Sequence, residues 1–183
     1  MKSRFKRLRA ATNTFRIDLL RYPRSAWISD RSLWAVAVFR LGLPMRCHVG
    51  LRQCHTLLNL WSQIVTNVRI GLDAQIGPGL LLIHAQGAII HPDAVIGLNC
   101  TLMQGVTIGN RDATNRVPRI GANAELGAYA QILGGIKLGD NVHVGALSVV
   151  IRDVPDNTVV AGVPARQVGT VQSSVTATTA PSP

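Results

Sequence analysis

A chain of 183 residues with 47% hydrophobic composition is long enough to close one or two small cores, which excludes a disordered tail. Its net charge of +10 is unevenly held: residues 1–69 carry thirteen Lys and Arg against only Asp18 and Asp30, a balance of +11, leaving six of the 19 basic and seven of the 9 acidic residues for the rest. Cys47, Cys54 and Cys100 form no paired spacing, so neither a disulfide framework nor a four-ligand zinc site is expected, and a reducing, cytoplasmic setting fits.

The first ten residues are basic and acid-free, but no apolar core of a secretory signal follows them; a transit peptide would share this composition. Lys2, Arg4, Lys6, Arg7 and Arg9, with Phe5, Leu8, Phe15, Leu19 and Leu20 nearby, suit a solvated basic arm or attraction to an anionic membrane surface, with peripheral placement at the inner membrane. Nucleic acid fits less well, because few aromatics are interleaved and no recognition motif accompanies the charge. The apolar run Leu33 to Phe39 falls far short of the roughly 18 to 20 residues of a spanning helix. A helix is predicted from about Ser32 to Leu41, capped by Asp30 or Ser29 and stopped by Gly42 and Pro44. In a second, Leu51, Cys54, Leu58, Trp61, Val65 and Val68 recur at three and four to give one apolar stripe. Residues 1–69 are therefore expected to form a basic helical cap over the open edge of the repeat region that begins at Ile70.

After Arg69 an aliphatic residue recurs every six positions: Ile70, Ile76, Leu82; Ile90, Ile96, Leu102, Ile108; Ile120, Leu126, Ile132, Leu138, Val144, Val150. Glycine follows many of them, and a small residue often stands four places on, as at Ala94, Ala124 and Ser148. A period of six fits neither an amphipathic helix nor an alternating strand. It fits a triangular coil of three short strands, about 18 residues per turn, with the aliphatic residue pointing inward and stacking on its equivalent one turn later. The predicted class is mainly β, a parallel β-helix over 70–169 behind an α-helical region.

Two interruptions break the period. Two extra residues sit between His84 and Ile89, and the polar segment Gly109 to Pro118, within a loop drawn as 109–119, carries no repeat signature. Insertions in solenoids gather on the functional face. From Asp153 to Gly169 a Pro and Gly punctuated strand is expected to leave the coil, and 170–183, rich in Ser, Thr, Ala and Pro, reads as a disordered tail.

The segments Ile83 to Gly87, Gln104 to Gly109, ILGGIKLGDN at 132–141 and AGVPAR at 161–166 resemble the serine O-acetyltransferase family of hexapeptide-repeat acyltransferases, over about Val68 to Gly169. IHPDAVIG and QGVTIGN are similar to its short, colanic-acid-type members of exopolysaccharide biosynthesis. The resemblance implies a left-handed coil, a homotrimer and transfer of acetyl from acetyl-CoA, a co-substrate, to L-serine or to a sugar hydroxyl, with no metal. It makes His84 the general base; a neutral imidazole can accept the proton of an otherwise weakly nucleophilic hydroxyl.

His91 and His143 read as rim and outward-facing residues. Gln104, one coil from His84, is placed to hold its tautomer or touch the acceptor; Asp93 or Asp73 is a candidate to orient it. Asn115 and Arg116 in the loop are candidate acceptor contacts. The resemblance places the pantetheine arm along small-residue corners at Gly127, Ala128, Gly145 and Ala146, with Gly134 near, and the CoA phosphates at Arg166. Where the full-length serine enzymes carry two Asp and a second His, this chain has Arg69, Ile83 and Val117. A zinc-dependent carbonic anhydrase on a similar coil would need three histidine ligands, for which His84, His91 and His143 lie too far apart in register. A non-catalytic trimeric scaffold is the remaining alternative.

Overall fold

The computed structural model describes residues 2–27, 29–47, 49–112 and 116–171. Three helices, α1 (Lys2–Leu20), α2 (Arg31–Gly42) and α3 (Val49–Thr66), precede fifteen short strands. Asp30 caps α2, its Oδ1 accepting from the Ser32 N–H at 2.8 Å, and a 3-10 turn over Leu43–Cys47 follows Gly42. The side chains of residues 2–9, where the basic arm was placed, lie outside the described set.

The strands wind into a parallel β-helix with three faces. Face A holds β1 (Arg69–Ile70), β4 (Ile89–Ile90), β7 (Thr107–Gly109), β10 (Gln131–Leu133) and β13 (Val149–Val150). Face B holds β2 (Gln75–Ile76), β5 (Val95–Ile96), β8 (Arg119–Ile120) and β11 (Lys137–Leu138). Face C holds β3 (Leu81–Ile83), β6 (Thr101–Met103), β9 (Glu125–Leu126), β12 (His143–Val144) and β14 (Thr158–Gly162). The six-residue period is the register itself: Ile70, Ile90, Ile108, Ile132 and Val150 stack on one face, and Leu82, Leu102, Leu126, Val144 and Val160 on another. Twelve of the thirteen predicted inward residues are buried; the exception, Ile76, is partly buried against the same core. Each side chain sealed there contributes about 1.5–3 kcal/mol.

The segment after Val150 does not leave the coil. Val154 bridges Leu138 on face B, and β14 pairs in parallel with β12 before β15 (Ala165–Thr170) folds back antiparallel. The repeat signature fades there while the backbone pairing continues. Residues 172–183 of the expected tail lie outside the described residues.

The open lower end of the coil would leave unpaired backbone groups in the interior. The helices satisfy them with polar side chains. Asp18 Oδ1 accepts from Gly79 N–H at 2.7 Å and Leu80 N–H at 2.8 Å, and the same carboxylate binds Arg40 Nε at 2.7 Å. Arg40, itself buried, donates at 2.6 Å to the carbonyls of Ile76 and Gly77. The Tyr22 hydroxyl accepts from Leu82 N–H, Arg21 donates to the Gly79 carbonyl, and Asn59 on α3 donates to that of Ile70.

This chemistry turns most of the apolar stripe of α3 away from the coil. His55, Asn59, Ser62 and Thr66 form its buried side, whereas Cys54, Leu58, Trp61 and Val65 are exposed. An inward face that meets carbonyls and neighbouring helix backbones has to be polar and small. Gly42 illustrates the closeness, since a Cβ there would collide with the His55 ring.

Asp18→Ala would strand the Arg40 charge and two amides, and is expected to cost about 3–5 kcal/mol in urea unfolding. Burial raises the Tyr22 phenol well above its ordinary 10.0, outweighing the lowering effect of the hydrogen bond with Leu82. The fold therefore holds its proton, and the contribution of Tyr22, complete below pH 10, is lost as pH rises toward the folded value. Tyr22→Phe should be about 1 kcal/mol less stable at neutral pH yet lose less stability above pH 10, measured by urea midpoints at both pH values.

Candidate active site

His84 ends face C and opens the turn to face A. It is exposed, with φ of 47°, and its carbonyl accepts from Gln86 N–H. The turn is fastened from below: Ala85 N–H donates to the Ser32 hydroxyl at 3.1 Å, and Gly87 N–H to the Asn67 carbonyl at 2.6 Å. Ser32 is in turn placed by the Asp30 cap, so the N-terminus of α2 fixes the backbone beside the candidate base.

Parallel register puts three candidate residues in one column on this edge, with His84 at its foot. Leu82, Leu102, Leu126 and Val144 pair in sequence, so Gln104, Ala128 and Ala146, two places on, stack rung on rung; His84 follows the Ile83–Met103 pair, where the two-residue interruption intervenes and Gly105 N–H donates to the Gln86 carbonyl at 2.9 Å. Tyr129 N–H donates to the Gln104 carbonyl and Leu147 N–H to that of Ala128, both at 2.8 Å, confirming the ladder at the turns. With about 4.8 Å per rung, the column runs roughly 14 Å from His84 to Ala146. Gly127 and Gly145 flank it, and a Cβ on Gly127 would press on the backbone of Gly145 and Ala146. Gly162 continues the column, its N–H donating to the Ser148 hydroxyl at 3.0 Å, and Arg166 is paired with Ala161 in the closing hairpin. The exposed guanidinium of Arg166 therefore stands at the far end of the column from His84.

Other candidates lie elsewhere. Asp93 sits on the edge between faces A and B, beside His91, whose Nδ1 is 3.8 Å from its Oδ2; Asp73 is one coil below. Neither touches His84 within the chain, because a whole face separates the two edges. The extruded loop leaves the same A–B edge, β8 beginning at Arg119. Arg116 packs over Gly135 and Arg111 over Gly134, so the glycine pair makes room for the loop and Gly134 stands apart from the small-residue column. Asn115 lies outside the described residues. His143 projects outward from face C, 3.8 Å from Glu125. Among the described residues no group of three potential ligands is gathered for a metal.

Backbone conformation marks residues that pattern reading passed over. Eight described non-glycine residues have positive φ; five are asparagines, of which Asn99, Asn123, Asn141 and Asn157 line the edge between faces B and C. The other three are His84, Tyr129 and Leu147, all on the C–A edge. Asparagine adopts this region at little cost, whereas a bulky side chain there is an outlier of the kind that gathers at functional sites. The Tyr129 ring lies over Gly105, next to Gln104, and Leu147 is 69% exposed. Their sequence signal was a large residue at a turn position where other coils carry Asn or Gly.

The comparisons agree with this geometry. Residues 118–152 match the family model described as bacterial transferase hexapeptide (six repeats), and 87–111 that of the hexapeptide repeat of succinyl-transferase. These matches and the coil define a hexapeptide-repeat protein whose repeats are similar to those of bacterial transferases. The chain is 40% identical over 112 residues to serine acetyltransferase of Synechococcus elongatus, covering 60% of this chain and 46% of that one. It is 39% identical over 135 residues to that of Staphylococcus epidermidis, covering 73% and 62%. The crystal structure of Neisseria gonorrhoeae serine acetyltransferase in complex with serine superposes with a TM-score of 0.79 at 32% identity, covering 87% of this chain and 69% of that one. That of the Brucella abortus enzyme gives 0.82 at 29%, covering 92% and 73%. The chain belongs to the serine acetyltransferase family, with its left-handed β-helix, and spans about half the length of the curated relatives it matches.

His84→Gly removes the side chain from a left-handed position and is expected to stabilise the fold by about 1 kcal/mol in urea unfolding. A destabilised variant would show that the His84 ring holds the turn together.

Proposed function

We propose that the chain is an acetyl-CoA-dependent O-acetyltransferase that acetylates the hydroxyl of L-serine or a similar small acceptor, with His84 as general base. The observation that carries this reading is the column itself: an exposed imidazole on a fastened turn, at the foot of the stacked residues Gln104, Ala128 and Ala146, in a chain of the serine acetyltransferase family. The imidazole accepts the hydroxyl proton as the oxygen attacks the thioester carbonyl, and the tetrahedral centre collapses by expelling the CoA thiolate, which takes up that proton. The small side chains at 127–128 and 145–146 let an extended pantetheine arm lie against backbone, and Arg166 meets the phosphates of CoA. Gln104 holds the imidazole or the acceptor.

In this reading the enzyme is a cytoplasmic homotrimer. Threefold packing would set the A–B edge of one copy, with Asp93 and Arg116, against the C–A edge of the next, and the division of the candidates between two edges supports a shared site.

A second reading has an observation of its own. Arg69, held by Gln63 at 3.3 Å, Ile83 and Val117 stand where the full-length serine enzymes place charged or imidazole groups, which favours a sugar hydroxyl of an exopolysaccharide precursor.

The test is CoA release from acetyl-CoA with L-serine and with a panel of nucleotide sugars. Release should fall about 10²–10⁴-fold in His84→Ala, and partial activity should return when His84→Ala and Arg116→Ala chains are co-assembled. Release with sugars alone selects the second reading, and the absence of both release and CoA binding leaves a scaffold.

A further inference from the structure

The outward side of α3 is an apolar face. Leu57, Leu58, Leu60, Trp61, Ile64 and Val65 are all exposed, Trp61 to 60% and Ile64 to 76%, and at 100° per residue they cover one continuous sector of about 160°. The only Lys, Arg, Asp or Glu in α3 is Arg52. On an ordinary surface helix this side would face the core. Here the inward side is taken by the polar residues that meet the coil and the other helices, so the apolar side is outermost by construction.

The segment that forms the cap carries a large excess of positive charge, although Asp73 of the first coil lines a cavity beside Leu60. Residues 1–69 contain thirteen Lys and Arg and two carboxylates, and both carboxylates are engaged inside the cap, Asp18 buried against Arg40 and Asp30 on the Ser32 amide. All three tryptophans of the chain, Trp27, Trp34 and Trp61, are exposed, and all belong to the cap. A cap with this excess of Lys and Arg, one of its two carboxylates buried, that carries Trp, Leu and Ile outward complements an anionic lipid interface: headgroups attract the charge and the acyl boundary receives the side chains. The same charge opposes pairing of two such caps through this face.

We propose that the helical cap docks on an anionic phospholipid bilayer through the outward face of α3, with Trp61 and Ile64 at its centre. The inference is independent of the acetyl-transfer reading. Among the described residues no helix is long and apolar enough to cross a membrane, so docking is peripheral. It also differs from the expectation drawn from the basic arm, since the apolar anchors are on α3.

The experiment is co-sedimentation of the full chain with vesicles of phosphatidylcholine alone or mixed with phosphatidylglycerol, in low and high salt, alongside tryptophan emission and light scattering without lipid. Binding is expected only with phosphatidylglycerol, weakened by salt, with a blue shift of the emission. The triple variant Leu57→Ser, Trp61→Ser, Ile64→Ser, changed only at exposed positions, should bind at least about tenfold more weakly with its melting temperature and assembly size unchanged. Three results would overturn the proposal: no binding to anionic vesicles, equal binding by the variant, or a variant whose assembly falls apart without lipid. The last would assign the face to a second copy of the chain.

Discussion

The carboxylate of Asp18 is the contact on which the rest of the molecule depends. A β-helix satisfies each coil with the next, so its first coil needs a partner of another kind. Asp18 takes the amides of Gly79 and Leu80, and through Arg40 the carbonyls of Ile76 and Gly77 are taken as well. A buried ion pair alone would barely repay its desolvation. This one is repaid by closing backbone valences that no apolar helix could close. The arrangement ties α1 and α2 to the first coil and makes the inner surface they present to it polar.

The same constraint reaches the candidate site. Tyr22 and Ser32 extend the series of cap residues along the first coil, to Leu82 and then Ala85, which brackets His84 between two fastened amides. The candidate base thus sits on a turn fastened from below by α2, at the foot of the regular column of Gln104, Ala128 and Ala146. Left-handed strain at His84, Tyr129 and Leu147 lies on the same edge, while the asparagine-lined edge is relaxed and internally bonded, Asn123 to Asn141 to Asn157.

Most of the coil was legible in the sequence because its period is imposed by packing: a residue that must stack on its equivalent one turn later cannot drift. Gln104 followed from that register, whereas His84 and the small corner residues came from the family resemblance. The helices were less legible, since hydrophobic periodicity assumes that the apolar side of a helix is its inner side. In α3 the inner side meets backbone dipoles and helix backbones, and the rule inverts. The place of Asp93 was only partly legible, for a different reason. Spacing along the chain gave its coil correctly, but only the closed triangle shows that its edge and that of His84 are opposite ends of a face. Tyr129 and Leu147 escaped notice because their distinction is a backbone dihedral, visible in sequence only as a missing asparagine or glycine.

The central claim is that the C–A edge, from the His84 turn to the Arg166 hairpin, is where acetyl-CoA lies. Amide hydrogen exchange of the full chain with and without CoA tests it most directly. The account predicts slowed exchange in the turns at 104–106, 127–130 and 145–148. Protection confined to the asparagine-lined edge, or no change anywhere on the coil, would contradict it.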